Sequence, residues 1–132
     1  NLWTFDNARW SELSKDYKIE DFYLYYLKDK PVGCMALTNE DKQYWPKTES
    51  GNAIFIHKLA VKREASGAGI SKELINYAKK YTCINGINSI RLDCSAERGK
   101  LRMLYENEGF KYIKKITNKE KYSIALYDCN IG

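Results

Sequence analysis

Apolar residues fall in short clusters along this chain, and the spacing inside each cluster predicts its element. From Leu2 to Leu13 they occur at Trp3, Ala8, Trp10 and Leu13, a loose helical period. Phe22 to Leu27 reads FYLYYL, a short aromatic run that suits a strand. Lys28-Asp29-Lys30-Pro31 is a turn, and Val32 to Leu37 is the returning strand of a hairpin. Thr38 to Asn52 is polar, broken by Pro46 and Gly51, and carries Tyr44 and Trp45, which predicts a long loop.

Ala53 to Val61 places Phe55, His57, Leu59 and Val61 on one face and Ile54, Ile56, Lys58 and Ala60 on the other. Both faces are largely apolar, as expected for a central strand covered on both sides. After a glycine-rich turn, Ile70, Leu74, Ile75, Ala78 and Tyr81 repeat at helical spacing to about Thr82. Ile90, Leu92 and Cys94 alternate with Arg91 and Asp93, a further strand. Leu101, Leu104 and Tyr105 mark a short helix ended by Gly109, with Phe110 as the hydrophobic partner of the cap. Tyr112 to Ile116 and Tyr122 to Tyr127 form two closing strands around a polar turn. Strand–helix–strand units require parallel neighbours and hairpins antiparallel ones. The expected class is therefore α/β in the broad sense (α+β): a mixed, mostly antiparallel central sheet flanked by helices.

The 132 residues suffice for one domain with a real core, so residues 1–132 are read as a single domain. No apolar run approaches the ~20 residues needed to cross a bilayer, and no signal-peptide pattern opens the chain. A cytoplasmic protein with no membrane partner is the expectation. The four cysteines, Cys34, Cys83, Cys94 and Cys129, form no C-x-x-C pair, and His57 is the single histidine. That set lacks the ligand spacing of a metal site. Cys34, Cys83 and Cys94 lie in apolar segments, where a free thiol packs as a small hydrophobe. The net charge of +5 is dispersed without a block of like charge. It reads first as a solvated lysine-rich surface and also suits a polyanionic ligand, nucleic acid or phosphorylated cofactor; without a charge block a nucleic-acid footprint is weakly supported, and no nucleic acid is expected.

The stretch with the most chemical content runs Leu59-Ala60-Val61-Lys62-Arg63-Glu64-Ala65-Ser66-Gly67-Ala68-Gly69-Ile70-Ser71-Lys72. A strand passes through a glycine-rich turn straight into a helix. Gly67 and Gly69 permit positive φ and close approach to a ligand. The first helical turn offers unpaired N–H groups and a positive dipole end, which together suit a phosphate. No Gly-Lys-Ser/Thr follows at the spacing of a nucleotide-binding P-loop, and the third glycine of a dinucleotide fingerprint is absent. By itself this turn also reads as an ordinary strand-to-helix connection.

Leu104-Tyr105-Glu106-Asn107-Glu108-Gly109-Phe110 supplies the second half of a pattern. Leu59-Ala60-Val61, Gly69 and this later run together resemble the GNAT (GCN5-related N-acetyltransferase) superfamily, from about Phe22 to Tyr127. Ser66 stands where that family carries Arg or Gln, Ser71 where it carries Gly or Ala, and Arg98 where it carries Asn. The family's first strand and a full first helix are short or missing here.

The resemblance implies acetyl-CoA as co-substrate and an amine as acceptor. The pantetheine arm would pair with the backbone at Leu59, Ala60 and Val61. The pyrophosphate would lie on the N–H groups of Ser66, Gly67, Ala68, Gly69, Ile70, Ser71 and Lys72, with Arg98 near pantetheine or phosphate. Tyr105 resembles the general acid that protonates the departing thiolate, since a phenol with pKa ~10 is protonated at neutral pH. Its other reading is a core aromatic. His57 is the candidate base, because imidazole titrates in the range an ammonium substrate requires; a structural histidine within the sheet is the alternative. Backbone N–H groups near Leu59 or Ala60 would polarise the thioester carbonyl. Asp93 and Glu106 read as structural or surface carboxylates, and without an activating partner for any Cys, direct transfer is expected over an acyl-enzyme.

Tyr44 and Trp45, with Trp3 and Trp10, offer an aromatic wall for an acceptor amine, or plain packing. A binding-only acyl-CoA sensor of the same fold is the alternative function, and a small basic nucleic-acid-binding domain a weaker one. An exposed terminal strand such as Tyr122 to Tyr127 would let two copies pair, so a homodimer is one expectation.

Overall fold

A computed structural model describes residues 13–132. The helical pattern of Leu2 to Leu13, with Trp3 and Trp10, lies outside the described residues except at its last position. The elements are β1 (Phe22–Leu27), β2 (Lys30–Thr38), β3 (Ile54–Val61), α1 (Ile70–Ile84), β4 (Ser89–Ser95), α2 (Gly99–Asn107), β5 (Lys111–Thr117) and β6 (Ser123–Asn130). Hydrogen-bonded neighbours follow the order β1-β2-β3-β4-β6-β5 in one mixed, mostly antiparallel sheet. Among the described residues no helix is long and apolar enough to cross a membrane. The chain forms two compact units, residues 13–38 with Ile56–Ala78, and Asn39–Phe55 with Lys79–Gly132.

In the first unit β1 and β2 pair antiparallel from Phe22↔Ala36 to Leu27↔Lys30, with a bulge between Tyr25 and Tyr26. The turn is tighter than its sequence suggests. Only Lys28 and Asp29 lie outside the ladder, both at positive φ (48° and 69°), which is the pattern of a type I′ hairpin. Val32 to Leu37 are all buried, so β2 is covered on both faces. One cover is α1, whose Ile70 and Leu74 lie over Gly33. A Cβ at residue 33 would meet Ile70 Cγ2 at 3.0 Å, so the absence of a side chain there lets the helix approach. Tyr25 donates to Glu73 at 2.7 Å and ties the hairpin to the same helix.

In the second unit Ile54 and Phe55 pair in parallel with Ile90 and Arg91. β4 pairs antiparallel with β6 from Ser89↔Asn130 to Ser95↔Ile124, and β6 pairs antiparallel with β5. The strand–helix–strand expectation thus holds for direction, but β6 inserts between β4 and β5. This corrects the expected edge. Tyr122 to Tyr127 is no exposed terminal strand: β6 is paired on both sides, Ile124 to Tyr127 are buried, and β5 is the edge. The chain returns past β5 because β6 carries the apolar residues a central position requires, whereas β5 is rich in lysine and exposed.

Both helices end in the same device. Gly86 (φ 73°) and Gly109 (φ 94°) occupy left-handed positions. Gly86 N–H donates to Cys83 and Ile87 N–H to Thr82, at 3.0 and 3.1 Å. Gly109 N–H donates to Glu106 and Phe110 N–H to Tyr105, at 3.1 and 3.0 Å. These crossed bonds satisfy the last carbonyls of each helix. The Lys79 ammonium, donating to the Glu108 carbonyl, adds a cation at the end of α2.

Candidate functional site

β3 supplies the strand portion of the expected site, and its pleat is interrupted there. Lys58 takes φ 54°, so the alternation predicted for this strand holds only to His57. Ile54, Phe55 and Ile56 are buried, while His57 to Val61 are half-buried, which corrects the expectation of a strand covered along its whole length. The Cys34 thiol donates to the carbonyl of Lys58 at 3.4 Å, and Lys62 N–H donates to the Val32 carbonyl at 2.7 Å. Leu59 and Ala60 follow directly on this break.

A single 3-10 turn, Arg63–Ala65, carries the chain from the strand into the glycine segment. Ser66 closes it with its N–H and its hydroxyl, which both donate to the Arg63 carbonyl, at 3.1 and 2.8 Å. Gly67 and Gly69 sit at φ 85° and 77°, where a side chain would be strained. The N–H groups of Gly67, Ala68 and Gly69 have no hydrogen-bond partner among the described residues. Gly69 precedes α1 and its carbonyl accepts from Glu73 N–H at 3.1 Å, so the N–H groups of Ile70, Ser71 and Lys72 lack an intrahelical acceptor. Gly67, Ala68 and Gly69 are exposed, and Ile70 anchors the helix start by burying its side chain. The result is an open arc of backbone donors at a positive dipole end, the arrangement that holds an anion.

His57 lies in this same unit. Its Nε2 is 3.0 Å from Thr38 Oγ1, and its ring tilts against Tyr17 with centroids 5.2 Å apart. Thr38 was not singled out by sequence, since a threonine ending a strand carries no signal of its partner.

Tyr105 and Arg98 belong to the second unit, at the two ends of α2. Tyr105 is 4% exposed. Its ring meets Phe110 and Tyr127 at centroid distances of 6.1 and 6.2 Å. Its hydroxyl has no hydrogen-bond partner among the described residues. Burial, then the neighbouring Cys94 and Asp93, push its pKa well above 10, with Arg98 opposing. Arg98 is exposed and precedes the first residue of α2, its carbonyl accepting from Arg102 N–H at 3.0 Å. Tyr127 holds the helix in place: its hydroxyl donates to Glu106 at 2.5 Å and accepts from Arg102 Nε at 2.8 Å. Arg102 also donates to the Ala96 carbonyl at 3.0 Å and covers the Tyr112 ring at 4.9 Å. Glu106 is thus a structural carboxylate, as expected.

All four cysteines are free thiols. Burial raises Cys34 to about 12 and Cys94 to about 11, so neither is a thiolate near neutrality. Cys83 departs from expectation. It is exposed, because its apolar stretch is the solvent side of the last turn of α1.

The loop before β3 is built around Asp41, whose side chain accepts from Gln43 and Tyr44 N–H at 3.0 and 3.1 Å. Trp45 is sandwiched by Phe55 (centroids 6.2 Å) and the Arg91 guanidinium at 4.5 Å. Arg91 also pairs with Asp128 at 2.9 Å and donates to Thr48 at 2.7 Å. For Trp45 the packing reading therefore holds.

The family model for the acetyltransferase (GNAT) domain matches residues 18–112. The uncharacterized N-acetyltransferase YesJ of Bacillus subtilis is 25% identical over a match covering 80% of this chain and 66% of that protein. The chain therefore spans just under two thirds of that relative's length. A GNAT family acetyltransferase from Elizabethkingia anophelis with acetyl-CoA bound superposes with a TM-score of 0.69 at 16% identity, covering 90% of this chain and 82% of its own. An acetyltransferase of the GNAT family from Listeria monocytogenes gives 0.68 at 21% identity, covering 95% and 78%. The fold shared with these structures and the family match lead to one statement: the chain belongs to the GNAT acetyltransferase domain family.

Proposed function

We propose that this protein transfers the acetyl group of acetyl-CoA directly to a primary amine of a small molecule or peptide. The observation that carries this is the arc of unpartnered N–H groups from Gly67 to Lys72, shaped by two left-handed glycines at the start of α1. The space beside Gly67 and Gly69 is open, which fits a diphosphate approaching the backbone. Acetyl-CoA bound there supplies an activated acyl thioester.

The residues of the chain then have two proton tasks. An ammonium acceptor must lose a proton before its nitrogen attacks the carbonyl carbon. The carbon–sulfur bond must break as the carbon–nitrogen bond forms, and the departing thiolate must gain a proton. His57 is the proposed base, acting from a ring whose Nε2 already meets the Thr38 hydroxyl. Tyr105 is the proposed acid. Its raised pKa weakens the drive for full proton transfer but keeps the phenol a hydrogen-bond donor to sulfur across the working pH range. Backbone N–H groups at Leu59 and Ala60, beside the break at Lys58, are proposed to polarise the thioester carbonyl. Direct transfer is favoured because burial holds Cys34 and Cys94 protonated.

The test is release of CoA thiol from acetyl-CoA across a panel of amines. Amine-dependent release supports the proposal. Saturable acetyl-CoA binding without turnover on any amine would replace it with a binding-only domain.

A further inference from the structure

Beside the glycine segment lies an open groove of about 430 Å³. One wall is the hairpin end, Leu27, Lys28, Lys30 and Val32; the other is the glycine segment itself, through Ser66 and Ala68. The Lys62–Val32 hydrogen bond holds the two walls together where β3 gives way to the loop. An anion lying on the N–H arc therefore has this groove next to it.

Its charge is specific. Lys28 and Lys30 both line one wall, and neither has an ion-pair partner among the described residues. Glu64 lines the other. Lys28 also occupies a position that its residue type does not favour. It takes φ 48°, where Asn or Gly would be more comfortable, and Asp29 follows at 69°. A long cation held in a strained turn beside a groove points to use of the cation.

Resting on the acetyl-CoA reading above, we propose that Lys28 and Lys30 form a subsite for the phosphate monoester on the 3′-hydroxyl of the CoA ribose, with the adenosine seated in this groove. The pyrophosphate on the N–H arc puts that monoester one ribose away. Two lysines lining one wall match its double negative charge, while Glu64 keeps it on the lysine side. The hairpin is then a specificity element that selects CoA over its dephosphorylated form.

The test compares affinities for acetyl-CoA and 3′-dephospho-acetyl-CoA by calorimetry. The native protein is expected to prefer acetyl-CoA by roughly tenfold, the effect of two partly exposed ion pairs. Lys28→Asn with Lys30→Gln should reduce that preference to less than threefold while leaving the dephospho ligand's affinity unchanged. Lys28→Asn alone should raise the melting temperature, because Asn suits the turn, so lost discrimination cannot be ascribed to misfolding. Glu64→Gln should widen the preference. Equal affinities in the native protein, or a preference that survives the double variant, overturns the subsite and leaves the acetyl-CoA reading intact. If neither ligand binds the native protein, both proposals fall.

Discussion

The backbone N–H of Phe110 donates to the carbonyl of Tyr105 at 3.0 Å, and the two rings meet edge-on with centroids 6.1 Å apart. The same tyrosine therefore locks the end of α2 and is the proposed acid, and the two roles separate by atom. The ring and carbonyl serve the cap; the unpartnered hydroxyl is available for chemistry. Tyr105→Phe keeps the first set and removes the second. It should lower kcat by on the order of 10²-fold or more with acetyl-CoA affinity and melting temperature nearly unchanged. Tyr105→Ala should instead cost about 3–5 kcal/mol of stability through the lost core ring. Full turnover in the Phe variant would remove Tyr105 from the mechanism.

Gly69 permits a test that divides charge from strain. Its φ of 77° is uncomfortable for any side chain, and Asn and Asp tolerate it about equally. Gly69→Asn should weaken acetyl-CoA binding modestly. Gly69→Asp, which adds a negative charge to the anion cradle, should abolish it. Equal affinities in the two variants would mean that no phosphate lies there.

How much of this was legible in the sequence depended on range. The Gly67–Gly69 turn and the Tyr105–Phe110 cap each involve residues within a few positions of one another, and their glycines announce the backbone they require. The break at Lys58 was hidden because nothing in IFIHKLAV marks a lysine for positive φ; a contact from Cys34, 24 residues earlier, meets it. The central place of β6 is not readable locally, because strand order is decided by which strand has enough apolar surface for the centre, a comparison between distant segments. Arg91 and Arg102 are anchored at long range. Their acceptors, Asp128 and Tyr127, lie 37 and 25 residues away, and no local pattern links them.

Alkaline pH should destabilise the fold through groups whose protons the native state retains. Burial raises Cys34 from 9.0 to about 12 and Cys94 to about 11, and raises Tyr105 as well. Between the unfolded and folded values the unfolded chain has lost protons that the native state keeps, so stability falls as pH rises. The melting temperature should decline from about pH 9 upward, and Cys34→Ala should make that decline shallower. An unchanged slope would mean that Cys34 does not carry this effect.

Thiol chemistry should sort the cysteines by exposure. Cys83 is exposed and should react at once with a thiol-specific reagent, whereas Cys34, Cys94 and Cys129 are buried and should react only on unfolding. Alkylation of Cys83 should leave turnover intact, as direct transfer requires. Several fast thiols in the native protein would contradict the packing described.

If the N–H arc at the start of α1 holds the diphosphate of acetyl-CoA, melting with and without ligand will report it. At ~100 times its Kd, acetyl-CoA should add about 2.7 kcal/mol and raise the midpoint by several degrees, as should free CoA. ATP, which lacks the pantetheine arm, should not. A shift with both CoA forms and not with ATP is expected; no shift at saturating acetyl-CoA would mean that the arc holds no CoA diphosphate.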